Sequence, residues 1–107
     1  QKAFAEGNRA MAYFAGQQLE VIKHSKNADE VNNAEQLLAF LIPIIKGFIT
    51  ETALEATTYG VQVYGGHGYI KEHGQEQWYR DARIFTLYEG TTGIQALDLV
   101  GRKLMYL

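Results

Sequence analysis

Apolar residues recur at helical steps along most of the chain. Phe4, Met11, Ala15, Leu19 and Ile22 lie three, four or seven positions apart and draw one stripe on a helix. The stretch His24-Ser25-Lys26-Asn27-Ala28-Asp29 then turns polar and offers N-cap side chains. It predicts a helix-helix connection, with the next helix starting near Asn27 or Asp29. From Ala34 the apolar positions run Leu37, Leu41, Ile45, Phe48, Ala56, Tyr59 and Val63, again at helical spacing. Pro43 interrupts this pattern, either kinking one long helix or occupying the first turn of a new one, where its missing N–H costs nothing. From Pro43 to Val63 such a helix spans roughly 30 Å at about 1.5 Å per residue, a length that suits a bundle.

The character changes at Gly60, because eight of the eleven glycines fall between there and the end. Gly65-Gly66-His67-Gly68 is expected to stop the long helix, since glycine can take the left-handed cap conformation. Glu76 to Phe85 reads as a shorter helical piece. Thr91 and Thr92 then cap a final helix whose buried face is expected at Ile94, Leu97, Val100 and Leu104, with Arg102 and Lys103 at its C-terminal end, where the dipole favours cations. No alternating strand pattern and no repeat appears, so the fold class is all-α.

Composition bounds the function more than the fold. A chain of 107 residues has room for one small domain. Its formal charge of -2 offers no basic field for nucleic acid. It has no cysteine, which removes disulfides and thiolate chemistry and fits a reducing, cytoplasmic location. The longest apolar run, Leu37 to Ile45, is too short to span a bilayer, so no membrane insertion is expected. The opening Gln1-Lys2-Ala3 has neither a Met nor a signal-peptide pattern, and the expectation is a piece of a longer protein.

Five groups of residues invite a chemical reading. In Gln62-Val63-Tyr64-Gly65-Gly66-His67-Gly68-Tyr69 the glycines either cap a helix or let backbone N–H groups approach a phosphate. In Leu87-Tyr88-Glu89-Gly90-Thr91-Thr92-Gly93 a carboxylate sits just ahead of a helix start. It is either an exposed glutamate beside an N-cap threonine or a general base on an irregular loop. Arg80, Asp81 and Arg83 are assigned mainly to an inter-helix ion pair. His67, Glu72 and His73 do not match a zinc spacing and carry no metal expectation. Trp78, Tyr79, Phe85 and Tyr88 serve core or interface packing, or line a ligand pocket.

The three segments Gln62 to Tyr69, Arg80-Asp81-Ala82-Arg83-Ile84 and Tyr88-Glu89-Gly90-Thr91, in that order and spacing, closely resemble the C-terminal helical domain of acyl-CoA dehydrogenases. The ending from Thr92 to Lys103 looks most like the bacterial methylthiopropionyl-CoA dehydrogenase-like subfamily. The resemblance implies an up-and-down helical bundle, part of a four-helix domain. Residues 1–107 would lack the family's N-terminal helical domain, its β-domain and the first bundle helix, with its arginine and phenylalanine contact to the cofactor. It also implies an FAD-dependent oxidation of an acyl-CoA thioester to a trans-2-enoyl-CoA. Glu89 matches the base that removes the α-proton. Tyr88 and Gly90 match residues bordering the thioester, and Thr91 and Thr92 match residues near the flavin. Gln62, Val63, Tyr64, Gly65 and Gly66 match the segment that holds the FAD of a neighbouring subunit, so a homodimer or homotetramer is implied, with an electron-transfer flavoprotein as acceptor. Two alternatives stand beside this reading: an acyl-CoA oxidase-like enzyme, and, in isolation, a non-catalytic helical dimerisation module. The fragment alone is expected to bind FAD poorly and to be inactive.

Overall fold

A computed structural model describes residues 1–105, and among them every regular element is helical. Helix α1 runs Lys2–His24 and α2 runs Ala28–Tyr64. A short α3, Gly66–Tyr69, and a single 3-10 turn, Lys71–His73, lead into α4, Gln75–Phe85. Helix α5, Thr92–Asp98, continues as a π-helical stretch, Leu99–Leu104.

Local chemistry sets the boundaries. The Asn27 side chain accepts hydrogen bonds from the backbone N–H groups of Asp29 (3.0 Å) and Glu30 (3.4 Å), which caps α2, and both acidic residues lie in its first turn, where the dipole favours them. Ser25 bonds Glu30 across the connection at 2.8 Å. With so short a link the two helices must run antiparallel. Asn8 Nδ2 accordingly donates to Thr52 Oγ1 at 2.7 Å, and Gln1 Nε2 donates to the Ala56 carbonyl at 2.8 Å. Helix α4 begins where Gln75 Nε2 donates to the Thr57 carbonyl (3.2 Å) and ends where Lys46 Nζ reaches the Phe85 carbonyl. It too is antiparallel to α2, which gives an up-down-up arrangement centred on α2, with α5 packed on α2 as well.

Pro43 lies buried inside an uninterrupted α2, so it belongs to one long helix and does not start a second. The proline forfeits its own hydrogen bond to the turn before it, and the helix on either side persists because α1, α4 and α5 pack along it. The whole helix, unlike the run Leu37 to Ile45, is long and apolar enough to cross a bilayer by length and composition. Counting the uninterrupted run missed this, because Lys46 and Glu51 break the run without breaking the helix.

The closest approaches use small residues. The buried positions are Ala34, Pro43, Thr52, Gly60, Gly68, Ala82 and Thr86. A Cβ at Gly68 would lie 2.6 Å from the Val61 carbonyl oxygen, so α3 seats on α2 only because that side chain is absent, whereas a Cβ at Gly60 would displace the end of the Gln75 side chain.

Large apolar side chains stay at least partly open, and this corrects one expectation. Leu37, Phe48, Tyr59 and Val63 are exposed although they fall on the α2 stripe, and Ile94, Leu97, Val100 and Leu104 are exposed although they were assigned to a buried face. On the last helix Gln95, Asp98 and Leu99 turn inward instead. Periodicity finds an apolar face but not what covers it. Val63 is 81% exposed and Leu97 73%, so these faces have no partner among the described residues.

Candidate functional site

The loop joining α4 to α5 is built from the end of α4 outward. Leu87 and Tyr88 N–H groups both bond the Ile84 carbonyl, at 3.0 and 3.2 Å, so the helix closes on one shared acceptor. Thr86 is buried; its hydroxyl donates to the Arg83 carbonyl at 3.1 Å and accepts from the Arg83 guanidinium. The chain then turns sharply: Glu89 has φ +55° and Gly90 φ +92°. Among the described residues Glu89 is the only non-glycine with a positive φ. That region costs an L-residue roughly 1–2 kcal/mol, and such outliers cluster at working sites.

Three side chains hold this turn. Lys46 Nζ, from α2, donates to the carbonyls of Phe85 (2.6 Å) and Gly90 (3.0 Å) and lies 5.7 Å from the centre of the Tyr88 ring. Gln95 Nε2 donates to the Glu89 carbonyl at 3.1 Å. Thr92 Oγ1 donates to Glu51 of α2 at 2.6 Å. Thr91 then caps α5 by accepting the Ile94 N–H at 3.3 Å. Glu89 is exposed and lies in the chain between Tyr88 and the Thr91 cap of α5. A carboxylate so placed can meet a ligand laid across the loop and take a proton from it.

Gln62 to Gly66 lie elsewhere. Lys46 and Gln62 are sixteen residues apart on one helix, which puts the two clusters about 24 Å from each other. Tyr88, Glu89, Gly90, Thr91 and Thr92 therefore share one place, and Gln62, Val63, Tyr64, Gly65 and Gly66 another. Gly65 caps α2 at the expected place, with its N–H on the Gln62 carbonyl (3.1 Å), but its φ of +62° and ψ of -142° lie outside the left-handed helical conformation expected for it; nothing lies within 4 Å of a Cβ placed there or at Gly66. Of the five, only Gln62 lines the groove of about 490 Å³ between α2, α3 and α4. Tyr69, Lys71, Glu76, Tyr79 and Arg80 line the same groove. Two cations beside two phenol rings suit a ligand that combines phosphate charge with a flat ring.

Other expectations are revised. Arg80, Asp81 and Arg83 form no inter-helix ion pair among the described residues: Arg83 bonds within its own helix end, Arg80 faces the groove, and Asp81 is exposed. Consecutive helical positions point about 100° apart and do not share a target. Trp78, Tyr79, Phe85 and Tyr88 are exposed and not core, and Phe85 and Tyr88 rings sit 6.1 Å apart. His67 and His73 rings meet edge to face at 4.9 Å. The sequence reading missed Lys46, Glu51 and Gln95. Lys46 had a signal, being the one charged residue between Leu37 and Ile49.

A sequence model of the family described as "Acyl-CoA dehydrogenase, C-terminal domain" matches residues 2–105. The chain is 47% identical over 104 residues to a 3-methylmercaptopropionyl-CoA dehydrogenase of Ruegeria pomeroyi, an alignment covering 97% of this chain and 18% of that protein. It is 38% identical over 110 residues to the broad-specificity linear acyl-CoA dehydrogenase FadE5 of Mycobacterium tuberculosis, covering 98% of this chain and 17% of the relative. A 56-residue stretch, 52% of this chain, is 45% identical to the CarC subunit of the caffeyl-CoA reductase-Etf complex of Acetobacterium woodii, of which it covers 15%. The chain thus spans less than a fifth of the length of these relatives.

Proposed function

The chain belongs to the acyl-CoA dehydrogenase family, matching its C-terminal domain, and from that membership we propose that the complete protein is an FAD-dependent acyl-CoA dehydrogenase in which Glu89 is the base. The single observation that supports this assignment is the left-handed backbone at Glu89, which holds an exposed carboxylate out from a loop braced by Lys46, Gln95 and Thr92.

The chemistry asks for that kind of placement. A C–H beside a thioester carbonyl is weakly acidic, so the carboxylate must be held against it and shielded from water. Glu89 Oε takes the α-proton as the trans-2-enoyl-CoA forms. Tyr88 and Gly90 border the thioester on either side of the base. Bound FAD supplies the acceptor for the β-hydride. Thr91 and Thr92, at the start of α5, are the residues that would help to hold it. The groove at Gln62 would receive the pyrophosphate and adenosine portion of FAD: Lys71 and Arg80 carry charge for the phosphates against the one carboxylate of Glu76, while Tyr69 and Tyr79 offer flat faces. Gly65 and Gly66 leave open space for backbone approach.

The separation of about 24 Å along α2 favours a homodimer or homotetramer, in which the Gln62–Gly66 segment of one subunit serves the flavin beside Glu89 of another. The substrate to try first is a short thioether acyl-CoA, given the Ruegeria relative, with linear acyl-CoAs next. An electron-transfer flavoprotein is the proposed acceptor, in keeping with the name of the Acetobacterium relative's complex. A cytoplasmic location stays part of the proposal, and α2 is read as a bundle helix because Lys46 and Glu51 reach from it to neighbouring backbone and side chain. The test is anaerobic: a panel of acyl-CoAs is added to the flavin-loaded full-length protein, and flavin absorbance is followed. Bleaching by at least one thioester supports oxidation of the acyl chain by the flavin; a separate aerobic assay with the same thioester then distinguishes the two readings, since rapid oxygen uptake there would assign an oxidase and its absence a dehydrogenase. No bleaching by any of them contradicts both.

A further inference from the structure

We propose that Lys46 is a positioning residue for Glu89, acting on the backbone of the loop and not on substrate. The inference rests on the reading of Glu89 as the base. Phe85 ends α4, and its carbonyl is one of those that a helix leaves without an internal partner. Gly90 lies five residues on, immediately before the cap of α5. One ammonium takes both carbonyls, at 2.6 and 3.0 Å, so it clips together the two ends of the segment that contains Glu89. The negative end of the α4 dipole favours a cation there. The Tyr88 ring, 5.7 Å from Nζ, adds a cation–π contact next to the base. Gln95 fixes the Glu89 carbonyl from the other side. With its neighbouring carbonyls pinned, Glu89 has little freedom to leave the left-handed conformation that sets the direction of its side chain.

The position of Lys46 argues against a general solubilising role. It stands alone among apolar residues of α2, is only partly exposed, and its contacts lie 39 and 44 residues away in sequence. A methionine there would fill the same space and lose both bonds.

The experiment compares Lys46→Met, Lys46→Arg and Glu89→Gln in the flavin-loaded full-length protein. For Lys46→Met the expected result is a fall in kcat per bound flavin of roughly 10- to 100-fold, as for a small misplacement of a reacting group, with KM within about twofold of the parent. The α-deuterium isotope effect rises, and amide hydrogen exchange quickens across residues 86–91 while α1 keeps its protection. Lys46→Arg, which can still donate to both carbonyls, recovers most of the rate. Parental kcat per bound flavin, or parental exchange in that segment, overturns the inference, even if flavin content falls. Should Lys46→Met fail to fold, Lys46→Gln is judged by the same two readouts. Turnover retained in Glu89→Gln would sink the base reading and this inference with it, whereas loss in Glu89→Gln with parental Lys46→Met refutes the inference alone.

Discussion

The Thr92 hydroxyl donates a 2.6 Å hydrogen bond to the Glu51 carboxylate, fastening the first residue of α5 to the middle of α2. Lys46 sits five residues earlier on the same helix and grips the other end of the loop. The segment with Glu89 is thus held to α2 on both flanks. The bond is charge-assisted but partly solvated, so Thr92→Val should cost about 1 kcal/mol. A double-mutant cycle with Glu51→Gln in the full-length protein, read by urea denaturation, should show most of that as coupling. Additive losses would mean that the pair does not act as a unit.

Strain at the turn predicts opposite effects at neighbouring positions. Gly90 has φ +92°, and a Cβ there would fall 2.7 Å from Gln95 Nε2, so Gly90→Ala should destabilise by about 1–3 kcal/mol. Glu89→Gly removes the cost of a left-handed L-residue and adds glycine's extra chain entropy, for a net gain of about 0.5–1 kcal/mol. It should abolish turnover at the same time. Denaturation midpoints beside a rate assay check both. A Glu89→Gly protein less stable than the parent contradicts the strain argument.

Tyr59 on α2 donates to the Glu55 carboxylate one turn before it, and that hydrogen bond, aided by the adjacent negative charge, raises the phenol above its ordinary value of 10.0. The pair is intact while the phenol is protonated. Whatever it contributes is present below the ordinary tyrosine range and lost as pH rises through the raised value. Phenolate absorbance should therefore show one tyrosine titrating late, and Glu55→Gln should bring it back. An unchanged titration curve in the variant would dismiss the pair.

What the sequence disclosed divides by the range of the interaction. Asn27, Gly65 and Thr91 were legible as caps because each acts on backbone within three residues of itself. The all-α class and the span of α4 followed from spacing in the same way. Pro43 gave two options, and only the packing along α2 selects between them. Ile94, Leu97, Val100 and Leu104 were misassigned because an apolar stripe states a preference, and burial needs a partner surface. Glu89 was singled out by its family-like surroundings, and the structure adds its left-handed backbone. The brace was not, since Lys46 meets Phe85 and Gly90 only after three helices have packed.

The exposed faces make a prediction for the chain by itself. Val63, Tyr69, Trp78 and Leu97 are each two-thirds or more exposed, enough apolar surface to drive association. Sedimentation of residues 1–107 should show concentration-dependent self-association, unaffected by FAD. Equilibrium dialysis should find no FAD binding tighter than micromolar, because each chain holds only one wall of the flavin site near each cluster. Tight binding by the fragment would refute this division.

The central claim is that Glu89 takes the α-proton, and Glu89→Gln tests it most directly. The variant keeps the size and backbone of the residue and removes the base. Flavin-loaded full-length parent and variant are mixed anaerobically with a thioester that bleaches the parent. The account predicts bound flavin in both and bleaching slowed roughly 100- to 10,000-fold in the variant. Bleaching at the parental rate, with flavin and thioester both bound, would contradict it and leave Glu89 as a carboxylate beside a helix cap.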